Sequence, residues 1–224
     1  MFKPNFDLYK PWEDSEKVYR PPYLAVFRKN AKTLLYIAEK HGDNKSFDMT
    51  DFCFSEKSPA KPEIAVVEFE NSGRKINPNM IQNNNLVYAA AVATKHNTPV
   101  VFADLSDDDN IDVLNKQNPG RKFTIDDLNK VLTAGGPSTK KGEYSLLSHQ
   151  LNMYGRDPFM INNIMAALNK YDVVLAVFGE GHYRSQRLII EDMMGTPEYI
   201  KSVPNSRGDF DNLKIQPIDL GIVP

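Results

Sequence analysis

Four short stretches place ionisable side chains directly after apolar runs. Glu39 and His41 follow "TLLYI", Glu68 and Glu70 close "IAVVEFE", Asp104 follows "PVVFA", and Glu180 and His182 follow "VVLAVF". Imidazole beside carboxylate suits general acid–base work, because the ring exchanges a proton near neutral pH. Two imidazoles and a carboxylate also form a donor set for a divalent ion, which would lower the pKa of a bound water and polarise a carbonyl. His41, His182 and Glu68 are therefore the leading candidates for both roles. Glu39 and Glu70 are lesser ones, and Asp104 is placed to orient a histidine. Glu68 and Glu70 are two residues apart, so an extended strand would project them to one face. Polar residues are ordinary where strands leave a core. The repetition at several strand ends raises this pattern above that background.

The stretch "FGEGHYRSQ", residues 178–186, also admits a phosphate-cradling turn through Gly179 and Gly181. Arg184 stands where a G-x-G-x-x-G fingerprint needs its third glycine, so the dinucleotide reading is the weaker one.

The elements that must position these groups alternate between strand and helix. "YLAVFR" and "TLLYIAEKH" flank the polar turn "KNAK" and predict a hairpin. "EIAVVEFE", "TPVVFAD" and "DVVLAVFG" predict buried strands, and residues 77–97 predict one helix ending near His96, where a partial positive charge suits the dipole. Ser106 before three aspartates marks a helix start, and Thr124 with Asp127 resembles a capping box closed by Gly135. Residues 135–144 read as a turn-rich loop. Asp157 and Pro158 read as the cap and first residue of a further helix. "SQRLIIEDMMG" predicts a short helix, and residues 212–218 an edge strand. Strand–helix–strand order implies right-handed crossovers and a parallel sheet, whose ligands bind beyond the carboxyl ends of the strands. The expected fold is α/β, a mostly parallel central sheet flanked by helices with an N-terminal hairpin. Residues 1–22, rich in proline, form an arm, and 23–224 a single domain. Trp12, Tyr19 and Tyr23 are candidates for an adhesive strip on that arm.

The totals exclude several classes. Lys plus Arg number 27 and Asp plus Glu 29, a net charge of −2 that favours neither nucleic acid nor a membrane surface. Cys53 is the single cysteine, so no internal disulfide is possible, and it reads as filler. No apolar run approaches the roughly 20 residues of a membrane span, and no signal peptide is visible. A cytoplasmic protein acting on a small molecule or peptide is the expectation. Oligomeric state is not legible.

Taken together, "LLYIAEKHGD", "PEIAVVEFE" and "RDPFMINNIMAALNKYDVVLAVFGEGH" resemble the TraB/Tiki and erythromycin-esterase/ChaN-like superfamily over about residues 33–195. The second G-x-x-H motif matches in full at Gly179, Glu180, Gly181 and His182. The first departs from the pattern, with Ala38 in place of glycine before His41. Glu68, with Glu70 as the alternative, matches the family's glutamate, and Arg156 its helix-opening arginine. The resemblance implies a metal-dependent hydrolase of an ester or amide bond using Mn, Co or Zn. In that role Arg156 would steady an oxyanion or a substrate carboxylate. The alternative is a non-catalytic ligand- or haem-binding module of the same fold. His149, upstream of the Arg156 helix, is a minor further candidate.

Overall fold

The computed structural model describes residues 2–11, 19–70, 76–134, 142–205 and 214–222. The apolar runs are strands: β1 (Tyr23–Lys29), β2 (Lys32–Glu39), β3 (Ile64–Glu70), β4 (Val100–Asp104) and β5 (Val173–Gly179). A further strand, β6 (Glu198–Ile200), lies upstream of the edge strand expected over 212–218. The sheet order is β4-β3-β5-β2-β1-β6. β4, β3, β5 and β2 are parallel, whereas β1 runs antiparallel to both β2 and β6. The fold is therefore the expected α/β sheet with its hairpin at β1–β2.

Near-continuous apolar strands need cover on both faces. On one face α1 (Asn44–Phe54), α2 (Pro78–Asn83) and α3 (Asn85–Lys95) bury Leu35, Ile37, Ala65, Val67 and Val177. On the other, α7 (Asp157–Lys170) and α8 (Glu180–Met194) bury Tyr36, Val66, Ala176 and Phe178. Each large apolar side chain taken out of water in this way contributes about 1.5–3 kcal/mol. Three further helices, α4 (Asp107–Gln117), α5 (Ile125–Ala134) and α6 (Glu143–Leu151), share a satellite core around Leu114, Phe123 and Leu128. The N-terminal segment is docked rather than loose: Phe2, Leu8 and Tyr9 pack against the α7–α8 core. Among the described residues no helix is long and apolar enough to cross a membrane.

Several local expectations change. The helix over 77–97 is two helices, because Asn84 turns extended and its side chain caps Leu86 and Val87. Asparagine competes for the backbone in this way, which makes it a cap rather than a helix interior. Helices α1 and α6 were not anticipated. Residues 212–218 give no strand among the described residues, only a bridge from Pro217 to Val100. Tyr23 is fully buried, so it belongs to the core and not to an adhesive strip. Trp12 and Gly135 lie outside the described residues, as does most of the loop over 135–144. His96 stacks on Phe54, and burial together with Lys61 and Lys95 lowers its pKa, so it is not a dipole-stabilised cation. Cys53 is buried, and burial pushes its thiol up, which leaves it inert as a nucleophile.

Ser106 does cap α4 through Asp109, and Thr124 with Asp127 forms the reciprocal box at α5. The largest difference is at Asp157. α6, a π-helical turn (Asn152–Arg156) and α7 run on in helical conformation, and Asp157 N–H donates to the Asn152 carbonyl five residues back. Asp157 therefore caps nothing. The widened turn accommodates Pro158, which an α-helix interior tolerates poorly. The Asp157 side chain is released for another use.

Candidate functional site

The parallel registers bring the carboxyl ends of β2, β3 and β5 side by side. Glu39 is level with Gly179, Val67 with Val177, and Glu70 with Asp104 beyond a register irregularity. β5 passes directly into α8 at Gly179, so His182 stands in the first helical turn rather than in the loop the sequence implied. Glycine at 181 is a weak helix former, and tertiary packing overrides that preference.

A cavity of about 680 Å³ opens over these ends, within the range of small-molecule sites. Glu39, His41, Glu68, Arg156, Gly179 and His182 are among the residues that line it. Both imidazoles flank Gly179. A Cβ built there would lie 3.7 Å from His182 Cδ2, 3.8 Å from His41 Nε2 and 3.3 Å from Glu68 Oε2. Gly179 has φ −56°, which any residue adopts, so its smallness matters and not its freedom. Gly179→Ala is expected to hold stability within about 1 kcal/mol, as read by melting temperature, while narrowing the space between the two imidazoles.

Two carboxylate–imidazole pairs occupy the mouth. His41 Nδ1 is 2.5 Å from Oε1 of Glu39, whose side chain is fully buried, while the His41 side chain is 73% exposed. Asn85 at the start of α3 donates to the other Glu39 oxygen at 2.9 Å. The hydrogen bond to Glu39 raises His41 above the ordinary imidazole value, against the opposing effect of burial. The second pair is His182 Nδ1 with Asp157 Oδ1 at 2.7 Å, and here the ring is largely buried. Its Nε2 faces Glu68 Oε1 at 3.2 Å. Burial opposes the charged ring, but Glu68 and Asp157 outweigh burial and push His182 up to about 10. His182 is thus an imidazolium at neutral pH.

Glu68 is the hub. Its Oε2 accepts the Gly179 N–H at 2.7 Å, and its Oε1 accepts Arg156 Nη2 at 3.0 Å. Burial works against the charged carboxyl, yet His182, Arg156 and the Gly179 amide hold it well below the usual range. Arg156 grips Asp104 through Nε at 2.9 Å and Nη2 at 2.7 Å. Among the described residues its Nη1 reaches only Asn152, at 3.4 Å.

Asp104 therefore anchors the arginine and orients no histidine. That role falls to Asp157, which the sequence assigned to a cap. Glu70 is half-buried beyond the irregularity in β3 and does not line the cavity. Nor does His149, although Ser148 and Asn152 beside it do. Ala38 lies inside β2 opposite Phe178, in extended backbone where a positive φ is not required.

Among the described residues no group of three or more His, Cys, Asp or Glu side chains is arranged to hold a metal ion. Both Glu68 oxygens and both His182 nitrogens are engaged, and the Arg156 cation shares the carboxylate. Among the described residues, this arrangement does not fit a resident metal.

No known protein family, curated protein or solved structure matches the chain.

Proposed function

We propose that the protein hydrolyses an ester or amide bond of a small molecule or peptide, with His41 as general base. The observation that carries this reading is the Glu39–His41 pair, in which a buried carboxylate holds Nδ1 and leaves Nε2 beside the cavity. Water loses a proton to His41 Nε2 as its oxygen bonds to the substrate carbonyl carbon. Glu39 steadies the imidazolium that forms. Arg156 Nη1 donates to the developing oxyanion. The carbonyl re-forms, the bond to the leaving oxygen or nitrogen breaks, and His41 returns its proton to that atom. His182, charged and fixed by two carboxylates, contributes positive potential at the same mouth rather than a metal-ligand lone pair.

The test is a panel of activated esters and short peptides, with turnover followed from pH 5 to 9, with and without a chelator. Turnover should rise with pH through a midpoint above about 6.5, because the base must be neutral. In Glu39→Gln the ring loses the carboxylate that favours its charge, so the midpoint moves to lower pH while the plateau falls about 10-fold. Chelator should change neither. Absence of turnover across the panel would leave the binding-module reading.

A further inference from the structure

Asp157 is a buried carboxylate inside a helical run, 1% exposed. Three donors hold it. His182 Nδ1 and Gln186 Nε2, one turn apart on α8, each lie 2.7 Å from Oδ1. The third is the Tyr9 hydroxyl, which donates to Oδ2 at 2.6 Å. Gln186 is itself fixed, accepting from the Tyr36 hydroxyl on β2 at 3.0 Å. His182 and Gln186 belong to the sheet-and-helix framework. Tyr9 comes from the N-terminal segment, 148 residues away in sequence.

We propose that Tyr9 is a positioning residue for the His182–Asp157 pair, which makes residues 2–11 a working part of the site. The segment is built to deliver the phenol. Phe2 N–H donates to Asn169 Oδ1 at 2.9 Å, the Lys10 N–H meets the Ser185 carbonyl at 3.5 Å, and Phe2, Leu8 and Tyr9 pack on the α7–α8 core. With Oδ2 pinned by Tyr9, Oδ1 is turned toward His182 and Gln186. Without that hydroxyl, the carboxylate is free to rotate and its negative charge is shared by fewer donors. The His182 ring then loses the fixed orientation that keeps Nε2 on Glu68. The consequence for turnover rests on the proposed hydrolysis. The consequence for the ring does not.

The experiment is proton NMR of the full chain with ¹⁵N-labelled histidine. Four histidines are present, and His182→Gln identifies the signal of interest. In Tyr9→Phe, which keeps the packing ring, the His182 Nδ1–H resonance should move and exchange faster with water. Turnover should fall about 10-fold in kcat with KM unchanged, as for loss of an outer hydrogen-bond partner. Leu8→Ala loosens the same segment without touching the phenol and should leave the resonance in place. An unmoved signal in Tyr9→Phe overturns the proposal, and so does an equal shift in Leu8→Ala. The resonance is read without substrate, so a protein that hydrolyses nothing still decides the matter. Hydrolysis with an unmoved signal sinks this inference alone.

Discussion

His41→Gln should abolish turnover while leaving the fold in place. A positioned general base contributes roughly 10²–10⁴-fold, and glutamine has no proton affinity with which to replace it. The expected loss is about 10³-fold in kcat. Stability should change by less than about 1 kcal/mol, for two reasons. The side chain is 73% exposed, so little apolar area is lost. The amide also still donates to Glu39, which is fully buried and otherwise keeps Asn85. His41→Ala serves as the contrast. It removes the same base, but the Glu39 carboxylate loses a partner, so activity and stability should fall together. Initial rates and melting temperatures on the two variants separate chemistry from scaffold. A glutamine variant that retains more than a tenth of wild-type turnover would remove His41 from the reaction.

The separation depends on where each group sits, and that was only partly legible in the sequence. Strands β1 to β5 were readable because the sheet is covered on both faces, so each is an apolar run, and a polar residue marks its exit; the three-residue β6 carries no such run. That logic pointed to His41, Glu68 and His182, which line one cavity, and to Asp104, which is tied to it through Arg156. It could not rank them. Glu70 has the same type and spacing as Glu68, and only the irregularity in β3 sets it aside. Asp157 was missed because "RDP" carries a strong local helix-start signal, and the π-helical turn that cancels it depends on tertiary packing. Gly155 is one cause. A Cβ there would meet Val113 at 3.0 Å and Leu105 at 3.1 Å, so α4 packs against the turn itself. The pairing of Asp104 with Arg156 spans 52 residues, and no periodicity in a single chain reveals such a partnership. The third donor to Asp157 comes from the proline-rich arm, the segment with the least pattern of all.

Arg156→Met should be the most destabilising single change at the site. The guanidinium lies between Asp104 and Glu68, burial opposes its charge, and the two carboxylates outweigh burial to keep it protonated. Methionine fills similar space and supplies no cation. Two largely buried carboxylates then face each other, Asp104 without two of its donors and Glu68 without one. Breaking a buried pair in this way costs about 3–5 kcal/mol, because a charge is left without compensation. For a domain of this size that is a fall of roughly 6–20 °C in melting temperature. Arg156→Lys should cost less but not little, since a point charge cannot hold both carboxylates with the planar fork. The pH dependence carries a definite sign. Glu68 is held well below its unfolded value, so its contribution is complete above about pH 4.3 and is lost as pH falls through its folded value. The gap between wild type and Arg156→Met should be full at neutral pH and narrow in acid. His182 runs the other way. Its pKa is raised to about 10, so its contribution is complete below about pH 6.5 and drains away as pH climbs toward 10. That alkaline limb should survive in Arg156→Met, because Asp157 still holds the ring, and vanish in His182→Gln. Melting curves of the three proteins from pH 3 to 10 test both limbs. Parallel curves at every pH would mean that these charges do not hold the mouth of the sheet together.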